Sequence, residues 1–383
     1  MVVTKPTARR RRQHAGRALP ENKRGLKRSL NMRAFSDLLR AVNTEIRTQP
    51  ALNCPLCRAP GKSLYEQMTD RSYAAPGVWN LRECETCRAV WLHPQPTPAD
   101  IGLAYQGYYT HHQPEPGANW VRSTVWAVWH SYLRMRFGYD QGVGAPWKII
   151  FAPLALLHPG GPDDLGAAAM YLPKPAAGAR MLDVGCGSGV VLARMKSFGW
   201  ETSGVEVDLN AVNAAHAREL DIRHGQLAEC NFPKNHFDAV HLSHVIEHVY
   251  DPAVLLRECH RVLKPGGTLI VLTPNIASWG HRRFKNAWLN LDPPRHLILF
   301  DRRNFRSLAE SAGFKITQLK TSIHTAWVYG GLSRASELTG RAEMSELGKL
   351  GCLVYGAFFQ LGERLRRVFD ADAGDELLLI AKK

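Results

Sequence analysis

One segment, residues 180–198, constrains the fold of this chain more than any other. It begins with a short apolar strand at 181–184, which runs directly into a turn with three glycines at 185–189. Residues 190–198 then have the pattern of a helix. Because glycine has no Cβ, such a turn between a strand and the N-terminus of a helix lets a ligand approach backbone N–H groups closely. The third glycine follows one residue too early for the G-x-G-x-x-G dinucleotide-binding pattern.

Strands and helices alternate after this segment. Further strands are predicted at 202–207, 222–225, 237–241 and 267–272, with helices at 209–220 and 252–263. This alternation is typical of a parallel sheet that is covered by helices on both faces. In such a sheet a ligand binds at the carboxyl ends of the strands. Glu206 lies near the end of the second strand, where an acid can accept hydrogen bonds from both hydroxyls of a ribose.

Four motifs resemble those of class I S-adenosylmethionine-dependent methyltransferases in composition, order and spacing. They are Leu182-Asp183-Val184-Gly185-Cys186-Gly187-Ser188-Gly189, Gly204-Val205-Glu206, Phe237-Asp238-Ala239-Val240 and Leu263-Lys264-Pro265-Gly266-Gly267. The resemblance covers residues 179–320 and resumes at 375–382, which is similar to the closing antiparallel strand of that fold. It implies an α/β, Rossmann-like, seven-stranded sheet with a C-terminal antiparallel strand. The domain would occupy 179–383, with a helical insertion at about 321–368.

The resemblance also implies S-adenosylmethionine as the cofactor and assigns residues to its parts. The methionine part would be held by Asp183 and by the glycine loop, namely Gly185, Cys186, Gly187 and Gly189. Glu206 would hold the ribose. Members of the family often carry an acidic residue near the adenine amino group, whereas this chain has Gln226 and Leu227 there. A glutamine can still hydrogen-bond adenine, so the residue that makes this contact stays open.

Four of the eight cysteines form two C-x-x-C pairs, Cys54 with Cys57 and Cys84 with Cys87. Two such pairs suit a tetrahedral zinc ion, and four thiolates leave no open coordination position, so the zinc would be structural. The 26 residues between the pairs exceed the usual spacing of about 15 to 20. Disulfides are the alternative, disfavoured by a cytosolic setting and by four further cysteines. A zinc-ribbon-like module is therefore predicted at 49–115.

The net charge of +15 is concentrated at the amino terminus, where residues 1–34 contain eleven Lys or Arg against one acid. A charged block with so little apolar content cannot fold alone, which predicts a disordered tail at 1–48. A tail that binds RNA or an anionic membrane surface is the alternative.

A helical connector is predicted at 116–178. Its aromatic residues, interspersed with bases, indicate amphipathic helices, among them Trp120, Trp126, Trp129, Tyr132 and Trp147. Packing against the main domain is the favoured interpretation, and peripheral membrane contact is the alternative. The sequence has no run of eighteen uncharged apolar residues and no secretory signal pattern, so a cytoplasmic location is expected.

Three histidines are candidates for a catalytic base. His244 and His248 lie in an H-x-x-E-H motif after the fourth strand, and His296 lies in a loop expected over the same rim of the sheet. A structural hydrogen bond is the alternative role for each, and we place His296 first. The H-x-x-E-H spacing also fits an inverzincin zinc protease. Its position between a buried strand and Asp251 favours the histidine-rich turn that methyltransferases of this type commonly carry.

The acceptor is the least constrained part of the prediction. The loop at 274–303 combines tryptophans with bases such as Arg282, Arg283 and Arg295, which could bind a phosphate and a ring or form a plain basic surface. A zinc module ahead of a class I domain resembles bacterial methyltransferases of nucleotide-linked sugars or surface-polysaccharide precursors, which implies a small-molecule acceptor. The alternatives are RNA or protein methylation and a non-catalytic zinc-ribbon interaction protein with a degenerate methyltransferase fold. The oligomeric state stays open.

Overall fold

The computed structural model describes residues 45–105, 120–140, 146–343 and 348–383, with the backbone but not the side chains of 120–127 and 146–151. Residues 1–44 of the basic tail predicted at 1–48 lie outside these ranges, as do the side chains of Trp120, Trp126 and Trp147. Its last residues, 45–48, are ordered, since Ile46 is buried and Thr48 begins a strand. Residues 45–383 form one compact unit. No helix among the described residues is long and apolar enough to cross a bilayer.

The amino-terminal part of this unit contains two small antiparallel sheets. Its strands are β1 (Thr48–Gln49), β2 (Gly61–Met68), β3 (Trp79–Cys84), β4 (Val90–His93) and β5 (Gln95–Pro96). β3 pairs with β2 and with β4, and β1 pairs with β5. Trp79 and Leu81 alternate along β3 with less buried residues, so one face of the sheet is apolar and packs into the molecule. A 3₁₀ helix follows at Ile101–Tyr105.

The central sheet lies beyond three helical segments, α1 (Trp120–Phe137), a 3₁₀ helix (Pro146–Leu157) and α2 (Gly161–Ala168). The next strands are β6 (Arg180–Val184), β7 (Glu201–Glu206), β8 (Asp221–His224), β9 (Phe237–Ser243), β10 (Leu263–Pro274), β11 (Ile298–Leu299), β12 (Lys315–Ser322) and β13 (Glu376–Lys382). All except β11 form one sheet in the order β12-β13-β10-β9-β6-β7-β8. β13 is antiparallel to both neighbours, and β6 to β10 are parallel. The predicted Rossmann-like, mixed sheet of seven strands is confirmed.

Helices cover both faces of this sheet. They are α3 (Val190–Ser197), α4 (Leu209–His216), α5 (Pro252–Val262), α6 (Trp279–Phe284), α7 (Arg302–Ser311), α8 (Ala326–Thr339) and α9 (Lys349–Arg366). Successive residues of β6 point to opposite faces, since Leu182 packs in the cluster of α5 and α7 and Met181 in that of α3 and α4. α8 and α9 are inserted between β12 and β13.

β11 joins the amino-terminal part to the central domain. It comes from the loop after α6, yet it pairs antiparallel with β4, which gives the small sheet the order β11-β4-β3-β2. Cys54, Cys84 and Trp91 share one buried cluster with Leu182 of the central sheet. The segment with the four cysteines is therefore continuous with the core of the main domain.

Candidate active site

The glycine loop between β6 and α3 adopts a conformation that requires glycine. Gly185, Gly187 and Gly189 have φ values of 72°, 54° and 74°, in the left-handed region. A Cβ at Gly185 would lie 2.4 Å from a methyl carbon of Val245. One at Gly189 would lie 2.4 Å from a methyl carbon of Leu220. At Gly187 no atom lies within 4 Å of the Cβ position, so the loop is open there to a ligand.

Several N–H groups of this loop are already engaged. Those of Gly185 and Cys186 both donate to the carbonyl oxygen of Val205, at 2.7 and 3.2 Å. The N–H of Gly189 donates to the carbonyl oxygen of Cys186 at 3.1 Å. The sequence predicted a loop that offers N–H donors. In the structure the N–H groups of Gly185 and Cys186 hold the loop against β7. What the loop offers a ligand is open space beside Gly187.

Glu206, at the end of β7, is fastened to the glycine loop. Its Oε2 accepts a hydrogen bond from the N–H of Gly187 at 2.8 Å. Its Oε1 accepts from the N–H groups of Val207 and Asp208 at 2.8 and 2.9 Å. A carboxylate has about four acceptor positions, so one remains for a hydroxyl donor at the rim of the sheet. The backbone thus fixes an acceptor beside the open face of Gly187.

Asp183, predicted to contact the cofactor, pairs with a residue that the sequence did not single out. Its Oδ1 lies 2.8 Å from Nδ1 of His241, and both side chains are buried. The two residues are partners in the register of β6 and β9. Aligning the two predicted parallel strands would have placed them side by side. The pair holds the carboxylate of Asp183 in place directly before the glycine loop.

The two adenine candidates after β8 differ in their environment. Gln226 is exposed, and its N–H donates to Oε2 of Glu229 at 2.7 Å, whereas Leu227 is buried in the core. Val207, directly after Glu206, is 65% exposed. An exposed apolar side chain at this rim offers a surface on which an aromatic base can pack. Val207 was not among the predicted site residues, although its position directly after the acid of the second strand was visible in the sequence.

His244 bridges two buried carboxylates. Its Nδ1 lies 3.1 Å from Oε1 of Glu247, and its Nε2 lies 2.9 Å from Oε1 of Glu376. Burial acts to lower the pKa of His244, but the hydrogen bonds and charges of the two glutamates outweigh it and raise the pKa to about 10. The ring is then an imidazolium that donates from both nitrogens. In this geometry it has no lone pair with which to accept a proton.

The same segment lacks the geometry of a zinc protease. That motif requires two histidines on one face of a helix. His244 has a left-handed φ of 53°, and the only helical residues of the motif are the 3₁₀ turn Ile246–His248. The two imidazoles of H-x-x-E-H therefore do not stack one helical turn apart.

His248 and His296 lie side by side next to Glu247. The ring centroids are 4.7 Å apart, and one ligand atom from each of the three residues lies within 4.8 Å of the others. Nδ1 of His296 is 2.7 Å from the carbonyl oxygen of Asn290, and Nδ1 of His248 is 3.0 Å from that of Arg295. Since a carbonyl only accepts, the hydrogen-bond network assigns the proton of each ring to Nδ1. Each Nε2 is left as an acceptor.

This pair of rings can receive a proton. Burial, together with the neighbouring His296, lowers the pKa of His248 to about 4, so its ring is neutral at neutral pH. The carboxylate of Glu247 beside them would stabilise an imidazolium formed on either ring. The three groups could also hold a divalent cation.

Arg295 fixes the loop that carries His296. It is fully buried, and its guanidinium binds Asp70 at 2.7 and 2.8 Å and Asp292 at 2.6 and 2.8 Å. Burial acts to raise the pKa of Asp70, but the hydrogen bonds and charge of Arg295 outweigh it and lower the pKa. Asp70 follows β2, so this ion pair links the segment of the four cysteines to the loop with His296.

Backbone hydrogen bonds make a second link between the same parts. The N–H of Leu92 in β4 donates to the carbonyl oxygen of Leu297 at 3.1 Å, and the N–H of Leu297 donates to that of Glu247 at 2.8 Å. The hydroxyl of Tyr105 lies 3.0 Å from Nδ1 of His248. Residues of the amino-terminal segment therefore contact the histidine pair directly.

The four paired cysteines lie together. Their sulfur atoms are all within 4.8 Å of one another, with 3.5 Å between Cys54 and Cys87 and 3.4 Å between Cys57 and Cys84. No disulfide joins them. A tetrahedral zinc site with Zn–S bonds of about 2.3 Å places its sulfurs about 3.8 Å apart, so the cluster has a suitable size.

The two cysteine turns share one backbone pattern. In the first, the N–H of Cys54 donates to the carbonyl of Ala59 and the N–H of Arg58 donates back to Cys54. The second turn, from Cys84 to Ala89, has the same two bonds. Both turns have the sequence C-x-x-C-R-A, a repeat that extends the two C-x-x-C pairs.

Three arginines of the 274–303 loop, for which binding of a phosphate and a plain basic surface were both predicted, are held in ion pairs. Arg282 pairs with Asp370, and Arg283 pairs with Glu337 at 2.8 Å. Arg295 is buried in the ion pair described above. Arg282 and Arg283 thus hold the loop against the segment of the inserted helices, since Asp370 and Glu337 belong to that segment.

Comparisons with known proteins agree with this architecture. A family model described as a methyltransferase domain matches residues 163–319. A protein of Mycolicibacterium smegmatis named "Probable S-adenosylmethionine-dependent methyltransferase" is 35% identical over 152 residues, which are 39% of this chain and 57% of that protein. A "Ubiquinone biosynthesis O-methyltransferase" of Alkalilimnicola ehrlichii is 37% identical over 107 residues, 26% of this chain and 42% of that protein.

A solved S-adenosylmethionine-dependent methyltransferase from Mesorhizobium loti is 18% identical, covers 57% of this chain and 97% of its own, and has a TM-score of 0.40. The chain spans about half the length of the curated relatives it matches. Residues 163–319 form a class I, S-adenosylmethionine-dependent methyltransferase domain. The matched segment contains the glycine loop, Glu206 and the three histidines, and it excludes the four paired cysteines.

Proposed function

We propose that this chain, which carries an S-adenosylmethionine-dependent methyltransferase domain, transfers a methyl group to a small-molecule acceptor. The observation that carries the proposal is the carboxylate of Glu206, fixed by backbone N–H groups beside the open face of Gly187. A fixed acceptor of hydrogen bonds next to a glycine that admits close approach fits the ribose of the cofactor. Neither feature is lost, as it would be in a degenerate, non-catalytic domain.

Different residues of the site would contact different parts of the cofactor. Glu206 would accept a hydrogen bond from one ribose hydroxyl at its remaining acceptor position, and Val207 would pack on the adenine. Asp183 and the glycine loop would hold the methionine part. When bound there, S-adenosylmethionine supplies a methyl group that its sulfonium already activates. The protein then has to align the acceptor and, where necessary, remove its proton.

His296 is the proposed base, and His248 is its neighbour in the pair. An acceptor atom that takes the methyl group would have to give up its proton, because the carbon–sulfur bond that breaks leaves its electrons on sulfur. The proton of the acceptor passes to Nε2 of His296, whose Nδ1 is held by the carbonyl of Asn290. The charge of Glu247 favours the imidazolium that results. His244, which donates from both nitrogens, would instead position Glu247.

The acceptor that we propose is the one implied by the family resemblance, namely a nucleotide-linked sugar or a surface-polysaccharide precursor. A small molecule is supported by the names of curated relatives, which include ubiquinone biosynthesis O-methyltransferases. The same names favour oxygen as the acceptor atom. RNA or protein methylation would lead us to expect an unpaired basic surface, whereas Arg282 and Arg283 are in ion pairs.

We further propose that Cys54, Cys57, Cys84 and Cys87 bind one structural zinc ion. Support comes from the mutual distances of the sulfurs and from the repeated turn that presents them. Metal analysis of the purified chain should find about one zinc per chain. The variant Cys57→Ser should lose it, and Cys352→Ser, outside the cluster, should keep it. Full zinc content in Cys57→Ser would contradict the assignment.

The activity is tested by transfer of labelled methyl from S-adenosylmethionine into a cell extract that is then separated into RNA, protein and small-molecule fractions. Label in the small-molecule fraction supports the proposal, and label in RNA or protein contradicts the acceptor class. Calorimetry with S-adenosylhomocysteine tests the cofactor site separately. Absence of binding to correctly folded protein would overturn the enzymatic function itself.

The role of His296 is tested by His296→Ala with a matched control, His216→Ala. His296→Ala should reduce turnover about 10²- to 10⁴-fold, as expected for loss of a general base, and leave binding of S-adenosylhomocysteine unchanged. His216 bonds the carbonyl of Ile222 in α4 and β8, and its replacement should leave turnover within a few-fold of the original. Equal turnover in both variants would remove His296 from the mechanism.

A further inference from the structure

A buried pair of an imidazole and a carboxylate lies directly before the glycine loop. Nδ1 of His241 is 2.8 Å from Oδ1 of Asp183, and the exposed fractions of the two side chains are 6% and 7%. Since an ionised carboxylate only accepts hydrogen bonds, the network assigns the proton of the ring to Nδ1. Burial of a carboxylate without a donor is costly, and the bond from His241 offsets this cost for Asp183.

The second oxygen of Asp183 is left for a ligand. Within the described part of the chain, no group donates a hydrogen bond to Oδ2, and no lysine or arginine forms an ion pair with the carboxylate. Oδ2 is also not sealed inside the protein, in contrast to Oδ2 of Asp375, which is buried without a partner. An acceptor that is fixed on one side and open on the other is suited to a donor that arrives with a ligand.

This carboxylate lies near the position proposed for the ribose of the cofactor. In the register of the sheet, Asp183 is the partner of Gly204, which precedes Glu206 by two residues. Burial, followed by the charges of Asp183 and Glu206, raises the pKa of Cys186, so both carboxylates act on the same side chain of the glycine loop. A ligand whose ribose is bound by Glu206 can therefore present another of its groups to Asp183.

We propose that His241 is a positioning residue for the α-ammonium group of the cofactor. Its bond to Oδ1 fixes Oδ2 of Asp183 at the place where the ammonium of the methionine part donates. An imidazole, unlike a guanidinium, can make this bond as a neutral ring, so the negative charge of the carboxylate stays available to the ammonium. The inference rests on the cofactor site proposed above and adds to it a residue that was not among the predicted site residues.

This role distinguishes between two ligands. S-adenosylhomocysteine carries the α-ammonium group, whereas 5′-methylthioadenosine has the adenine, the ribose and the sulfur without the amino-acid part. If His241 acts on the ammonium through Asp183, its replacement weakens binding of the first ligand alone. If His241 only supports the packing of β6 against β9, its replacement disturbs the glycine loop and weakens binding of both ligands alike.

The test is calorimetry of the full-length chain with these two ligands. The variants His241→Leu and His241→Asn are close in shape to each other, and only the amide of asparagine can donate in place of Nδ1. His241→Leu should bind S-adenosylhomocysteine about tenfold or more weakly and 5′-methylthioadenosine within about twofold of the original chain. His241→Asn should bind S-adenosylhomocysteine within about threefold of the original chain. The control His216→Ala, which loses a bond to the carbonyl oxygen of Ile222, should bind both ligands normally.

Three results would overturn the proposal and leave the cofactor site itself intact. They are unchanged affinity of His241→Leu for S-adenosylhomocysteine, an equal loss for both ligands, and an affinity of His241→Asn as low as that of His241→Leu. The comparison of these two variants decides the question even where 5′-methylthioadenosine binds too weakly to be measured.

A second variant covers a failure of folding. If circular dichroism shows that His241→Leu is unfolded, His241→Gln takes its place with the same expectation, because its amide reaches the position of Nε2 rather than that of Nδ1. An original chain that is folded and does not bind S-adenosylhomocysteine would overturn the proposed methyl transfer, and this inference with it. The two proposals therefore fail in distinguishable ways.

Discussion

Replacement of His244 by alanine should destabilise the fold strongly. The imidazole is the shared partner of Glu247 and Glu376, both fully buried. Its pKa is raised from 6.5 to about 10. At about 1.4 kcal/mol per unit this shift alone corresponds to about 5 kcal/mol. Because the ring is 27% exposed to solvent, we expect a loss of about 3 kcal/mol in the free energy of unfolding, at the lower end of values for broken buried ion pairs.

The loss should depend on pH with a defined sign. A raised pKa in the folded state means that the contribution of His244 is complete below pH 6.5 and disappears as the pH rises through about 10. The pKa of Glu247 is lowered from 4.5 to about 2, because the hydrogen bond and charge of His244 outweigh the effect of burial. Its contribution is present above pH 4.5 and disappears as the pH falls through about 2. The difference between the original chain and His244→Ala should therefore be largest between about pH 4.5 and 6.5.

Urea unfolding followed by circular dichroism measures this difference. With a slope of about 3 kcal/mol per molar, a loss of about 3 kcal/mol moves the midpoint by about 1 M. His216→Ala, which removes a hydrogen bond to a neutral carbonyl, should cost about 1 kcal/mol or less and show no decline toward pH 10. A midpoint of His244→Ala within about 0.2 M of the original at pH 6, or a difference that stays constant from pH 6 to 10, would refute the reasoning.

Two further predictions concern the cofactor and the loop of His296. Glu206→Ala should weaken binding of S-adenosylhomocysteine at least tenfold in calorimetry, whereas Glu201→Ala, which loses only an exposed ion pair, should bind normally. Arg295→Met should lower the free energy of unfolding by about 3 to 5 kcal/mol, because it leaves Asp70 buried without its counter-charge. Arg306→Met, in an exposed pair, should cost less than about 1 kcal/mol, and equal losses in the two variants would contradict this account.

The central sheet could be predicted because its signals are local. The apolar strand before the glycine loop and the acid that ends β7 are each readable within a few residues. The predicted ends of the strands were less accurate than their predicted order along the chain. β10 begins at Leu263, four residues before the predicted start at Gly267, because Leu263 pairs with Phe237 across an irregularity in the register. Such a pairing depends on the neighbouring strand and has no signal in the segment itself.

The contacts between distant segments could not be predicted. β11 is two residues long, so nothing in its sequence indicates that Ile298 pairs with Trp91. Arg295 meets Asp70 across 225 residues of sequence. The sequence showed a base in a loop that could bind a phosphate, and only the fold brings the acids to it. The location of this loop beside the cysteine segment is therefore information that the structure adds.

The ranking of the three histidines depends on the same kind of contact. His244 and His248 lie in one short motif, and no feature of that motif distinguishes their roles. Glu376, which occupies Nε2 of His244, comes from β13 at the far end of the chain. The nitrogens of His248 and His296 are instead oriented by backbone carbonyls. Which ring keeps a free nitrogen is thus decided by partners that a linear motif does not contain.

The pairing of β11 with β4 limits how this protein can be rearranged by recombination. A methyltransferase half cut away from its amino-terminal segment would keep Ile298 and Leu299 with open backbone groups at an edge, and His248 would lose the hydroxyl of Tyr105. A foreign amino-terminal domain would cause the same damage unless it brought a strand in the same register. Recombination should therefore preserve this structure only when it keeps the two halves together. A substitution in one half is tolerated only when it is compatible with the residues of the other.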